Sequence, residues 1–164
     1  MTRIRILTRT SDLEAAARVL REANATVAED LGFTRENAPT NPAFTEAGTL
    51  AQELTHDREF YVLEADNEIA GIVAIEKAPN EDGLYYIERL AVLPKHRHKG
   101  YGSLLMDYAA ERAAEKRGRR VSIAIINENT VLKNWYITLG FEETGIRKFD
   151  HLPFTVCFMQ KELA

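Results

Sequence analysis

Several things are scarce or missing in this 164-residue chain, and each absence removes a class of function. There is one cysteine, Cys157, so no internal disulfide can form. No run approaches the 18 or so uninterrupted apolar residues that a membrane-spanning helix requires. The opening "MTRIRILTRT" lacks the apolar core of a signal peptide, and the expected compartment is the cytoplasm. Basic residues are not in excess: 21 Lys and Arg stand against 25 Asp and Glu, a formal net charge of -4. General affinity for nucleic acid or an anionic membrane depends on sustained positive charge, so neither partner is expected. The phosphate-loop pattern G-x-x-x-x-G-K-[ST] is missing, and the dinucleotide fingerprint fails because Leu105 stands in place of its third glycine. Internal repeats, low-complexity tracts and linkers are also missing.

What is present suits an ordinary globular core, with 45% hydrophobic and 28% charged residues, and the length predicts one domain over 1–164. "RIRIL" at 3–7 alternates as a half-buried strand does. A long helix follows, with Ser11 and Glu14 at capping-box spacing, Leu13, Ala17, Leu20, Val27 and Leu31 at helical intervals, and Gly32 as a stop. "FTRENAPTNPA" at 33–43 is irregular, and a weaker helix lies in "FTEAGTLAQELTHD". "EFYVLEA", "EIAGIVAIEKA" and "GLYYIERLAVLP" predict three antiparallel strands, the first two joined through "DN". A helix over 101–116 presents Leu104, Leu105, Tyr108 and Ala109 on one face and ends at Gly118. "RVSIAII" is a buried strand, "NTVLKNWYITLGF" a short helix ending at Gly140, and "FEETGIRKF" and "FTVCFMQKEL" two final strands. A strand, helix, strand unit over 84–126 implies parallel neighbours within a mixed α/β sheet. Ligands of such sheets sit beyond the carboxyl ends of the parallel strands, here at 94–103.

That segment contains "HRHKGYGSLL" at 96–105. Gly100 and Gly102 allow close backbone approach, and the helix start supplies unpaired N–H groups at the positive end of its dipole. Lys95, His96, Arg97, His98 and Lys99 add local charge, which favours a phosphate-bearing ligand. The alternative is a glycine turn with a solvated basic rim.

The run Arg97-His98-Lys99-Gly100-Tyr101-Gly102 fits R-x-x-G-x-G directly after a strand. Downstream, Asn129 is followed by Tyr136 and then Gly140-Phe141. Together these resemble the two cofactor segments of the GNAT superfamily of acyl-CoA-dependent N-acyltransferases, with Leu132 standing where alanine is usual. The motifs cover about 84–141, and the element order fits over the whole chain. The resemblance implies a mixed, mostly antiparallel sheet of six to seven strands flanked by about four helices.

It also implies acetyl-CoA as co-substrate, no metal, and direct attack of an amine on the thioester in a ternary complex. Coenzyme A would lie between the strands at 84–93 and 121–126, along Leu90, Ala91 and Val92, with its pyrophosphate on the amides of Arg97, His98, Lys99, Gly100, Tyr101, Gly102 and Ser103. Asn129 and Tyr136 complete the expected contacts. The amide of Leu90 or Val92 would stabilise the oxyanion. Tyr136 occupies the general-acid position, or else packs in the core. Glu88 is the candidate base; strand periodicity would place it on one face with Leu90 and Val92 unless a bulge intervenes, and the alternative is pairing with Arg89 or another cation. Glu76 is the reserve. Arg35, Glu36, Asn37 and His151 are candidates for binding the acceptor, a small-molecule amine. Cys157 is expected in the core rather than as an acyl carrier. A non-catalytic acyl-CoA sensor and a protein or peptide amine acetyltransferase are the competing readings, and an exposed sheet edge makes a homodimer plausible.

Overall fold

The computed structural model describes residues 1–10 and 12–163. Its elements are β1 (Thr2–Ile6), α1 (Leu13–Asp30), α2 (Ala47–Glu53), β2 (Arg58–Ala65), β3 (Glu68–Lys77), β4 (Leu84–Val92), α3 (Tyr101–Glu115), β5 (Arg120–Ile126), α4 (Thr130–Thr138), β6 (Glu142–Lys148) and β7 (Thr155–Glu162). Short 3-10 turns occur at Pro42–Phe44 and Pro94–His96. The seven strands form one sheet in the order β1-β2-β3-β4-β5-β7-β6, in which only the β4/β5 pair is parallel. This is the mixed, mostly antiparallel sheet with four helices that the element order implied.

Two apolar layers hold it together, because alternate side chains of a strand point to opposite faces. Tyr61 and Leu63 of β2, with Val73 and Ile75 of β3, pack on one face with Leu105, Met106, Ala109 and Ala113 of α3 and Tyr136 of α4. Phe60 and Val62, with Ile72 and Ala74, pack on the other with Ala16, Ala17, Val19 and Leu20 of α1 and Leu50 of α2. The buried stripe of α3 is therefore rotated from the expected one, since Leu104 is exposed and Met106 is buried. On α1, Leu31 is likewise exposed, and Ala28 contributes instead. Ser11, half of the expected capping box, lies outside the described residues. Asp12 stands at the helix N-cap in a left-handed conformation with no side-chain cap.

Turn chemistry fixes the connections. Asp66 and Asn67 both have positive φ (53° and 62°), as a tight hairpin between β2 and β3 requires. After α3, the left-handed position is taken by Arg117 (φ 69°) and not by Gly118. Gly118 serves a different purpose: a Cβ there would lie 2.7 Å from the Ala113 carbonyl oxygen and 2.9 Å from Tyr85 Cδ1. That carbonyl also accepts the Gly118 N–H at 2.8 Å, so the backbone has no room to yield. Gly118→Ala should cost about 1–3 kcal/mol of stability, the usual penalty for overpacking, measured by urea unfolding.

The centre of the sheet positions the site. β4 and β5 pair over three positions only, Leu84 with Arg120, Tyr85 with Val121 and Tyr86 with Ser122. Beyond Tyr86 and Ser122 the strands part toward their carboxyl ends. β4 carries a bulge there: its pairing with β3 steps from Ala91 opposite Ile72 to Glu88 opposite Ala74, leaving Arg89 and Leu90 against the single Val73. Arg89 takes φ 56° to make the extra residue fit. A bulge bends the strand that carries it and re-aims the side chains beyond it.

Candidate active site

The bulge corrects the expectation from simple periodicity. Leu90 and Val92 pack with Ile87 on the α3/α4 face, while Ala91 joins the α1/α2 face. Glu88, before the extra residue, meets Arg58 of β2 and Glu76 of β3 instead. Glu88 therefore does not share a face with Leu90 and Val92.

Where β4 and β5 part, a cleft of about 610 Å³ opens. Its walls include Glu88, Arg89 and Leu90 of β4, Ile123 to Ile126 of β5, and Leu132 and Tyr136 of α4. At the α1 side it is closed by Asn24, Ala38, Thr40, Asn41 and Pro42, and at the β6–β7 turn by His151, Leu152 and Phe154. Tyr136, Glu88 and His151 thus share one cavity. Arg35, Glu36 and Asn37 do not line it. Arg35 pairs with Glu46 at 3.2 Å and lies over the Phe44 ring, Asn37 makes a local turn with Thr34, and Glu36 is exposed. Asn24, Thr40 and Asn41 take the cavity-facing positions that sequence reasoning gave to these neighbours. The pattern of a Pro- and Asn-rich loop located the wall without resolving which of its side chains turn inward.

Tyr136 is buried, with edge-on contacts to the Trp135 ring at 4.9 Å and the Phe141 ring at 5.6 Å. Burial alone pushes its phenol well above the ordinary range, so it keeps its proton at any physiological pH. Glu88 is shifted too. Burial first, then the nearby Glu76, raise its carboxyl, Arg58 and Arg89 oppose them, and the result is about 7. The site thus pairs a phenol that holds its proton with a carboxyl poised to give or take one near neutrality.

Cys157 of β7 is fully buried, its Sγ 3.3 Å from Glu143 Oε1. Burial, then that contact, push its thiol up, which disfavours the thiolate a nucleophile needs.

Past the cleft, β4 runs through the 3-10 turn into Arg97 to Gly100 and then α3. His98 (φ 65°) and Gly100 (φ 82°) are both left-handed, and an L side chain at Gly100 would be strained. The first amide of α3 with an intrahelical acceptor is that of Leu104, bonded to the Gly100 oxygen at 3.1 Å. The amides of Tyr101, Gly102 and Ser103 precede it and lie at the positive end of the helix dipole. Gly102 has a second reason to be glycine: a Cβ there would sit 3.3 Å from the Trp135 ring. It lets α4, which carries Tyr136, pack over the start of α3. Asn129 caps α4, its Oδ1 accepting from the Leu132 amide at 3.2 Å.

The charge of this loop is more spent than its composition suggests. His96 is buried, with Nε2 2.9 Å from Glu68 Oε2, and Lys95 Nζ is 2.7 Å from the same oxygen. Lys95, then His96, hold the Glu68 carboxyl down to about 2. Lys99 lies 4.0 Å from Asp66, and Arg97 donates to the Ala23 carbonyl at 2.8 Å. The β2–β3 hairpin thus neutralises much of the basic cluster.

Coenzyme A has a diamide arm and a pyrophosphate, and the residues present fit both. The inner edges of β4 and β5 are unpaired with each other beyond Tyr86 and Ser122, which leaves backbone donors and acceptors for an extended amide chain. The loop from His98 to Ser103 could offer amides to the anion, whereas the expected contribution of the Arg97 amide is corrected: it already donates to the Pro94 carbonyl at 3.2 Å. Among the described residues, no group of three or more His, Cys, Asp or Glu is placed to hold a metal ion, and no helix is long and apolar enough to cross a membrane.

Residues 14–141 match the sequence model of the acetyltransferase (GNAT) family. A streptothricin acetyltransferase of Streptomyces lavendulae is 33% identical over 89 residues, 54% of this chain and 47% of that protein. The chain therefore spans about half the length of that relative. An uncharacterised N-acetyltransferase from the pepI 3′ region of Lactobacillus delbrueckii subsp. lactis is 28% identical over 120 residues, 66% of this chain and 69% of its own. Among solved structures, the PaiA N-acetyltransferase of Thermoplasma acidophilum in complex with coenzyme A superposes with a TM-score of 0.79 at 20% identity, over 99% of both chains. The ribosomal-protein-S18-alanine N-acetyltransferase of Escherichia coli gives 0.78 at 18% identity, over 100% of this chain and 95% of the other. The fold is the one these structures share, and the chain belongs to the acetyltransferase (GNAT) family.

Proposed function

We propose that residues 1–164 act as an acetyl-CoA-dependent N-acetyltransferase whose acceptor is a primary amine on a small molecule, with direct transfer in a ternary complex. The observation that carries this is the single cleft on which Glu88 and Tyr136 both open. The similarity to a streptothricin acetyltransferase supports a small-molecule acceptor.

Leu90, Ala91 and Val92 would hold the diamide arm, and the amides of His98 to Ser103 the pyrophosphate, with Asn129 fixing the start of α4 beside them. When bound, acetyl-CoA supplies an activated acetyl thioester. Glu88, ionised, takes a proton from the ammonium so that its nitrogen lone pair becomes available. An N–H of β4 beside the bulge, that of Leu90 or Val92, donates where negative charge develops on the carbonyl oxygen. Tyr136 gives its proton to the departing sulfur. His151, Asn24, Thr40 and Asn41 form the wall that meets the acceptor. A homodimer, if formed through a free sheet edge, would use β1 or β6, the two outer strands.

The test is continuous detection of free thiol from acetyl-CoA across a panel of amino acids, polyamines, aminoglycosides and peptides. Turnover with a small amine is the expected result. Turnover confined to peptides would move the acceptor class, and tight coenzyme A binding with no turnover on any amine would leave a binding module.

A further inference from the structure

Glu88 does not stand alone. Arg58 Nη2 lies 2.8 Å from Glu76 Oε2 and 3.2 Å from Glu88 Oε2, so one nitrogen serves two carboxylates. Arg58 Nη1 reaches Glu53 Oε1 of α2 at 3.2 Å, and the same oxygen takes Arg89 Nη2 at 3.1 Å. Arg58 Nε is buried with no hydrogen-bond partner among the described residues. The register explains the cluster: Arg58 opposes Glu76, and Glu88 opposes Ala74 two residues along β3 on the same face. A fastening built only for stability would satisfy all three guanidinium nitrogens and would not crowd two carboxylates on one of them.

We infer that Arg58 is a positioning residue for the reaction: its shared Nη2 orients the Glu88 carboxylate and sets that group's proton affinity. The inference rests on the reading of Glu88 as the proton acceptor. The charged groups around Glu88 are Arg58 from β2, Glu76 from β3 and Arg89 from β4, with Glu53 of α2 bridging the two arginines and His151 across the cleft. Arg58 is the largest favourable charge in that set and Glu76 the largest unfavourable one. Removing either should move Glu88 in opposite directions and carry the rate profile with it, and the second shift is the one a merely structural role would not produce.

The test is a carbon-13 NMR titration of the glutamate carboxyls, with Glu88→Gln assigning the Glu88 signal, beside pH profiles of kcat/KM for one amine. Arg58→Gln should raise the Glu88 midpoint by about one pH unit, a tenfold gain in proton affinity, and Glu76→Gln should lower it by a similar amount. Arg58→Lys keeps the charge and should fall between wild type and Arg58→Gln. The acid limb of kcat/KM should move with each midpoint, while KM for acetyl-CoA stays within about twofold. Should Arg58→Gln fail to fold, Glu76→Gln and Arg58→Lys still carry the test. An unmoved Glu88 midpoint in folded variants overturns the inference and leaves the base assignment standing. A midpoint that moves while the rate profile stays fixed removes Glu88 as the base, and Arg58 loses its role in the reaction with it.

Discussion

Tyr136→Phe should lower kcat by about 100-fold with KM for acetyl-CoA nearly unchanged, the size expected when a positioned general acid is lost. The phenylalanine ring can keep the contacts with Trp135 and Phe141, because both are edge-on ring contacts that need no hydroxyl. Packing is therefore held nearly constant, and the change isolates the proton. No hydrogen bond to the Tyr136 hydroxyl is found among the described residues, although the side chain is buried and borders the cleft. A buried tyrosine ordinarily spends its hydroxyl on an internal partner. This one is left for whatever enters the cleft. Steady-state kinetics with a poor thiol leaving group in place of coenzyme A should show a larger penalty than with coenzyme A. Retention of full kcat while chemistry limits the rate would return Tyr136 to a packing role.

Glu88→Gln should reduce kcat/KM by about 100-fold at pH 8 and flatten the acid limb of its pH profile. The direction follows from the carboxyl at about 7: below that pH the group is protonated and cannot accept, so wild-type kcat/KM should rise with pH through 7. A glutamine has nothing to titrate there. Stability should report the same ionisation with the opposite preference. The folded carboxyl sits above its unfolded value, so the folded state holds the extra proton. The stabilising contribution is present below the ordinary carboxylate range and is lost as pH rises through about 7. Urea unfolding from pH 5 to 8 should show that decline in wild type and a shallower one in Glu88→Gln. An acid limb that persists unchanged in the variant would move the base to Glu76 or to water.

The sequence carried the elements and the glycine turn before α3 because both depend on local signals. Periodicity and turn residues marked every strand and helix, and Asp66-Asn67 and Gly100 stand where positive φ was needed. What could not be read depends on register. Arg58, Glu76 and Glu88 lie far apart in the chain and meet only because β2, β3 and β4 pair with particular offsets. The β4 bulge then displaces Leu90 and Val92 to the other face, and no residue type at 89 announces it, since Arg89 is an unusual occupant of a left-handed position. Likewise, five basic residues at 95–99 read as a field for an anion until Glu68 and Asp66 arrive from a neighbouring hairpin.

The short β4/β5 seam gives the protein a second pair of strand edges, at its middle instead of its rim. The rim edge at β6 carries Glu142, Glu143, Arg147 and Lys148, charges that discourage a stray strand from docking. The inner edges are covered differently, by the walls of the cleft. Side chains from α4, from the loop at 38–42 and from the β6–β7 turn line the gap, so a strand docking there would have to fit its own side chains among them. The walls that would seat an acyl carrier thus also limit strand pairing with a second copy of the chain.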